Sequence, residues 1–264
     1  MNIGLIIVGD EILSGRRQDK HLSKVIEILA ARGLALAWCE YVGDDPARIT
    51  ATLKRAFDSG DLVFSTGGIG ATPDDHTRQS AAAALGVELQ LHPEARDLIV
   101  ERMKDIARTQ GVEFKPDDPD NVHRLNMGVF PAGASIIPNP YNKIPGFKVR
   151  DLSFVPGFPV MAWPMIEWVL DTHYPHLFNR APSVERSVIV FGAMEATLTP
   201  LMEKIEARFP GVKVFSLPSV DHPEYGRHID LGVKGAPELT LTAFNALKEG
   251  LAKLDAKVGP ELVR

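Results

Sequence analysis

Leu62-Val63-Phe64-Ser65-Thr66-Gly67-Gly68-Ile69-Gly70-Ala71-Thr72-Pro73-Asp74-Asp75-His76-Thr77-Arg78 passes from a short apolar strand through a glycine loop into the start of a helix. Without Cβ atoms, Gly67, Gly68 and Gly70 let a ligand lie close to the backbone. Thr72 is expected as the N-cap of a helix over 73–85, with Pro73 at its first position and Asp74 and Asp75 in its first turn. A helix N-terminus beside bare backbone N–H groups suits a phosphate or another oxyanion. Two carboxylates at the same place repel that anion unless they bind a cation, so the run points to a metal-assisted phosphate site. An ordinary helix start has the same Thr-Pro-Asp-Asp look, because acids stabilise its positive end. Three glycines within four residues exceed what a cap requires. Neither a Walker loop nor a Gly-x-Gly-x-x-Gly fingerprint is present.

Working outward, residues 3–8 form an apolar run ending at Gly9-Asp10, expected as a buried parallel strand. Asp19 is placed to cap a helix with Leu22, Val25, Ile26 and Leu29 inward and Gly33 as its stop. A strand over 34–42 leads to Gly43-Asp44, and Asp45-Pro46 opens a helix with Ile49, Leu53, Ala56 and Phe57 inward. Alternating strands and helices imply a three-layer αβα sheet. Ligands bind such sheets beyond the carboxyl ends of the strands. Asp10, Asp44 and the loop at 67–75 are all expected at that edge.

His92-Pro93 opens a further helix ending at Gly111, and 115–147, rich in Pro, Asn and Gly, reads as an ordered wrap. A strand at 152–155 and a helix to about 171 complete a domain over 1–175. The boundary is placed in 173–182, and 183–264 is expected to be a smaller α+β domain of βαββα order. Within it 217–228 reads as a polar loop between two strands.

Composition bounds the function. The charge of −5 argues against a nucleic-acid binder, and no apolar run approaches a membrane span. The single Cys39 allows no internal disulfide and fits a reducing, cytoplasmic setting. His76 reads as a surface histidine, and Arg78 can meet a phosphate or pair with Asp74 or Asp75.

Gly9-Asp10-Glu11-Ile12-Leu13-Ser14-Gly15, Val42-Gly43-Asp44, Thr66 to Asp75 and Thr77-Arg78 occur in that order. Together they resemble the molybdopterin-binding domain shared by MogA/MoaB, MoeA and CinA proteins. Asn139-Pro140, Pro145-Gly146-Phe147 and Phe154-Val155-Pro156-Gly157-Phe158-Pro159 resemble the CinA branch in particular. That branch usually reads Asn-Thr-Asn where this chain has Arg16-Arg17-Gln18-Asp19-Lys20-His21. It also carries a further C-terminal domain with nicotinamide-mononucleotide deamidase activity, which is not expected of this sequence.

The resemblance implies Asp44 and Asp75 as catalytic acids. It implies ligand contact through Gly9, Asp10, Ser14, Gly15, Thr66, Gly67, Gly68, Gly70, Thr72 and Arg78. It further implies a homo-oligomer, dimer or trimer. Three functions follow. The first is a divalent-metal-dependent pyrophosphatase acting on ADP-ribose or FAD, with Mg²⁺ or Co²⁺ held by Asp75 with Asp44 or Asp74. The second is a molybdopterin-binding protein of molybdenum-cofactor metabolism. The third is a non-catalytic nucleotide-sensing module.

Overall fold

The structure is a computed structural model that describes residues 1–179 and 183–264. It falls into two compact units, Met1–Phe178 and Asn179–Arg264. Of the expected boundary, Arg180, Ala181 and Pro182 lie outside the described residues. Among the described residues no helix is long and apolar enough to cross a membrane.

The first unit runs β1 (Ile3–Val8), α1 (Asp10–Leu13), α2 (His21–Ala30), β2 (Trp38–Val42), α3 (Pro46–Ser59), β3 (Leu62–Thr66), α4 (Thr77–Leu85), β4 (Leu89–Leu91) and α5 (Pro93–Gln110). It continues through α6 (Pro119–Arg124), β5 (Val129–Pro131), β6 (Ser135–Ile137), β7 (Gly146–Val149), β8 (Leu152–Val155) and α7 (Pro159–His173). The main sheet has the order β2-β1-β3-β8-β7-β6. Its β2, β1, β3 and β8 strands are parallel, whereas β8, β7 and β6 pair antiparallel, so the wrap at 115–147 supplies a mixed edge to the sheet.

Strand alternation makes the three layers. Ile3, Leu5 and Ile7 of β1 and Leu62 and Phe64 of β3 pack against α2 and α7. Ile6, Val8 and Val63 face the other way, onto α3, α4 and α5. Phe130, Phe147 and Phe154 stack in that second layer, with ring centroids 4.7 and 4.4 Å apart. Asp45 caps α3, accepting from Arg48 N–H, and Ile49, Leu53, Ala56 and Phe57 are buried as expected. In α2 the stripe differs: Ile28 is buried while Ile26 is exposed. That helix starts only at His21, where Asp19 Oδ1 and Oδ2 accept from the His21 and Leu22 N–H groups, and this sets its rotation.

The second unit contains β9 (Val184–Phe191), α8 (Glu195–Arg208), β10 (Lys213–His222), β11 (Gly226–Gly235), α9 (Pro237–Lys253) and β12 (Lys257–Val263). Its antiparallel sheet has the order β10-β11-β9-β12, and α8 and α9 bury Leu198, Ile205, Phe244, Leu247 and Leu251 against one face. Two expectations are corrected here. The 217–228 segment is not a loop, because cross-strand pairing continues from Leu217↔Asp230 to His222↔Gly226 past a bulge. The βαββα order gains β12, which pairs along β9 and removes an open edge there.

Candidate functional site

The parallel strands β2, β1, β3 and β8 release the chain at one sheet edge, at Gly43, Gly9, Gly67 and Pro156. There the glycine loop is seated on β1. Gly67 has φ +96°, and a Cβ on it would lie 2.3 Å from Val8 O. Gly68 has φ +67°, and a Cβ would lie 2.2 Å from Thr77 Oγ1. Close approach thus fixes glycine at both positions. Thr77 holds the loop in return: its hydroxyl donates to Gly67 O at 3.0 Å and its N–H to Gly68 O at 2.9 Å.

The helix after the loop starts later than expected. Thr72 is not its N-cap and Pro73 is not its first residue; α4 begins at Thr77 after His76. The reason lies in Asp75. Its Oδ2 accepts from Thr72 N–H at 2.8 Å and from the Thr72 hydroxyl, and its own N–H donates to Thr72 O at 3.0 Å. These bonds close a turn over 72–75 and leave the Thr72 hydroxyl donating, so it does not cap a helix. Asp75 also sits where a Gly70 side chain would be, with Oδ2 2.5 Å from an added Cβ.

The loop opens onto a cavity of about 340 Å³. Gly68, Ile69, Gly70, Ala71, Thr72 and Asp75 form one wall, and Met127, Asn139, Asn142, Ile144, Pro145, Pro156, Gly157, Phe158 and Met161 form the rest. Among the described residues, no backbone or side-chain acceptor takes the N–H groups of Gly68, Ile69, Gly70 and Ala71. Four successive free donors beside a cavity suit an oxyanion. The opposite wall is mostly apolar and suits the body of a ligand. Asn139, 4% exposed, braces it: Nδ2 donates to Asn142 Oδ1 and Ile144 O, each at 2.9 Å, and Oδ1 accepts from Tyr141 N–H at 3.1 Å.

Arg78 is 4% exposed. Its Nη2 donates to Gly70 O, while its buried Nε has no partner. Neither Asp74 nor Asp75 forms an ion pair with it among the described residues, and Asp75 acts on it only at a distance. Burial lowers the pKa of this guanidinium, with Asp75 partly opposing. The expected pairing along the helix is therefore absent.

Asp10 and Asp44 meet at the ends of β1 and β2. Asp10 N–H donates to Asp44 Oδ2 at 2.9 Å, and Asp44 N–H donates to Asp10 Oδ1 at 3.2 Å. Burial raises the Asp44 carboxyl above its ordinary range; the Asp10 N–H opposes this, and the charges of Asp10, Glu11 and Asp74 add to it. A cation would relieve that crowding, so the donor chemistry fits a Mg²⁺-type ion held by one or two carboxylates. The expected set of Asp44, Asp74 and Asp75 is not gathered into a cage. Among the described residues no group of three His, Cys, Asp or Glu side chains has metal-holding geometry. Asp75 is committed to the Thr72 turn and Asp74 is exposed.

Of the other expected residues, Thr66 is buried beneath the loop with its hydroxyl unpartnered, and Gly9 N–H donates to Val42 O at 3.0 Å. Ser14 and Gly15 are exposed after α1, with the Ser14 hydroxyl accepting from Arg16 Nε at 3.3 Å. Gly9, Asp10, Ser14, Gly15, Asp44, Thr66, Gly67 and Asp74 line neither the loop cavity nor the one beside it. His76 is not a bare surface residue, since it lines that neighbouring cavity. Sequence reasoning assigned no ligand role to Asn139, Asn142, Phe158, Met161 or His123. Asn139 and Phe158 carried only the signal of the Asn-Pro and Pro-Gly-Phe motifs, which lie far from the loop in sequence, and the other three carried none.

Comparison with known proteins adds four findings. A family model described as "Probable molybdopterin binding domain" matches residues 4–177. A CinA-like protein of Syntrophotalea carbinolica is 30% identical over 220 residues, covering 79% of this chain and 51% of that protein. A CinA-like protein of Geobacter metallireducens is 30% identical across 100% of this chain and 61% of its own length. The chain thus spans roughly half to three-fifths of these two relatives' length. The crystal structure of CinA from Thermoplasma acidophilum superposes with a TM-score of 0.54 at 26% identity, covering 65% of this chain and 98% of that one.

Proposed function

The chain belongs to the molybdopterin-binding domain family, and from that premise we propose that its glycine-loop cavity binds the phosphate of a nucleotide or pterin ligand. We propose further that the protein cleaves a nucleotide pyrophosphate such as ADP-ribose or FAD with the help of a divalent cation. One observation carries the reading: Gly68 to Ala71, whose N–H groups have no acceptor among the described residues, line a cavity whose remaining wall is mostly apolar. Oriented N–H groups bind an oxyanion without reorganising, and a water-poor wall strengthens that attraction.

Asp44, with Asp10 beside it, is the residue suited to hold Mg²⁺ or Co²⁺. Such an ion would neutralise bridging phosphates and lower the pKa of a bound water. Asp75 acts through the turn it closes on Thr72, which positions the loop. Assembly of identical chains into a dimer or trimer, and a cytoplasmic setting for the free Cys39 thiol, belong to the same reading.

Binding of molybdopterin without turnover is the second reading. The family description and the apolar wall of Met127, Ile144, Phe158 and Met161 support it, because that wall accommodates a flat heterocycle. A shared fold does not choose between the reactions.

AMP release from ADP-ribose and FAD, with and without Mg²⁺ or Co²⁺, tests the proposal. Metal-dependent AMP is expected, with loss of turnover but retained nucleotide binding in Asp44→Asn. A protein that binds nucleotide and releases no AMP from either substrate contradicts hydrolysis, and saturable molybdopterin binding would then favour the second reading.

A further inference from the structure

His21 opens α2, is 4% exposed and lines neither cavity. Its ring reaches across the fold to the segment after β8, where Nε2–H donates to Gly157 O at 3.0 Å. The other ring nitrogen, Nδ1, is buried without a partner among the described residues. We propose that His21 is a positioning residue: by holding the Gly157 carbonyl it presents the Phe158 N–H to the heterocycle of the ligand. This rests on the reading of the loop cavity as the phosphate site, and it adds to the far wall the polar contact that reads the ring.

A carbonyl only accepts, so the ring of His21 carries a proton on Nε2. A buried polar atom without a partner costs stability, and an aliphatic side chain at position 21 would leave no such atom. What the imidazole supplies and an aliphatic side chain cannot is the bond to Gly157 O. The start of α2 is fixed for that bond. Asp19 Oδ1 accepts from His21 N–H at 2.8 Å, and Asp19 Oδ2 accepts from Leu22 N–H at 3.0 Å and from the Tyr41 hydroxyl of β2 at 2.9 Å. On the far side Gly157 lies on the glycine loop, where an added Cβ would stand 3.4 Å from Gly67 Cα. The Gly157–Phe158 peptide is trans, so its N–H points opposite to its C=O and away from His21. That Phe158 N–H has no acceptor among the described residues, and Gly157 and Phe158 both line the loop cavity. The wall around it offers a ring few other donors. Pro145 and Pro156 have no N–H, Ile144 N–H donates to Asn142 Oδ1 at 3.0 Å, and Asn142 Nδ2 faces Met161 Sδ at 3.7 Å. A fixed donor in an apolar wall selects a ligand with an acceptor at that place. Purine and pterin rings both carry acceptors at their edges, so the contact serves either ligand.

Titration with AMP and with ribose 5-phosphate, followed calorimetrically, separates this role from a purely structural one. The two ligands share ribose and phosphate and differ by the heterocycle. His21→Leu should weaken AMP binding about three- to tenfold, the range of one hydrogen bond, and leave ribose 5-phosphate binding unchanged. His21→Gln, whose amide N–H can reach the same carbonyl, should restore most of the AMP affinity. In the wild type the Phe158 amide NMR signal should shift with AMP and stay in place with ribose 5-phosphate. Equal weakening of both ligands in His21→Leu, or AMP affinity unchanged in it, overturns the proposal. So does a Phe158 signal that saturating AMP leaves unmoved, and this readout decides alone should His21→Leu not fold. A wild type that binds both ligands equally well overturns the ring contact and leaves the phosphate site standing. A wild type that binds neither overturns the phosphate reading of the cavity and this proposal with it.

Discussion

Replacing Gly67 by alanine tests how the loop is seated. The added Cβ would stand 2.3 Å from Val8 O, a backbone atom at the end of β1 that no rotamer change can move. The backbone there has φ +96°, which L-residues with a Cβ rarely adopt. Strain of about 1–2 kcal/mol adds to about 1–3 kcal/mol for overpacking, giving a loss of about 2–5 kcal/mol. Gly86→Ala is the control. Gly86 has φ +68°, and its Cβ would meet nothing within 4 Å. Its cost is the strain alone, about 1 kcal/mol after the gain from a stiffer unfolded chain. The chain's three tryptophans, Trp38, Trp163 and Trp168, all lie in the first unit, so their fluorescence follows its unfolding. At about 2–4 °C per kcal/mol, Gly67→Ala should lower the midpoint by about 5–20 °C and Gly86→Ala by less than about 5 °C. Equal shifts would refute the argument, because they would mean that the contact with Val8 O costs nothing.

Asn139→Ala removes three hydrogen bonds from a buried side chain. It should destabilise the first unit by about 2–4 kcal/mol in urea unfolding and weaken nucleotide binding by loosening the far wall of the cavity; a loss under about 0.5 kcal/mol would contradict that bracing. Cys39 should resist alkylation by iodoacetamide at pH 8. Burial first, then the charges of Asp19 and Glu40, push its thiol up to about 11. Roughly one thiol in a thousand is then ionised at pH 8, so labelling should rise steeply only as the pH approaches 11. Labelling at the rate of a free cysteine peptide would show that this environment is not felt in solution.

Local patterns carried much of the first unit. The apolar run at 3–8, the Asp45-Pro46 start and the strand before the glycine loop each depend on residues close in sequence, and each has its expected place. The helix start at Thr72 failed because capping rules treat Thr72 as an acceptor. Asp75, three residues on, captured both of its donors and closed a turn instead. The strand pairing across 217–228 and the strand β12 were hidden for another reason. Their residues are largely polar or exposed along an antiparallel sheet, so pairing with neighbours, and not apolar periodicity, defines them. At the site, the glycines and the Asp10 and Asp44 strand ends were legible. The Asn139 brace and the isolation of Arg78 were not, because both depend on contacts across the fold.

Backbone amide NMR of the protein titrated with AMP reads the phosphate cradle most directly. The largest shift changes should fall on the Gly68, Ile69, Gly70 and Ala71 N–H groups, which have no acceptor within the described protein. Saturable AMP binding that leaves those four signals unmoved would contradict the glycine loop as the phosphate site.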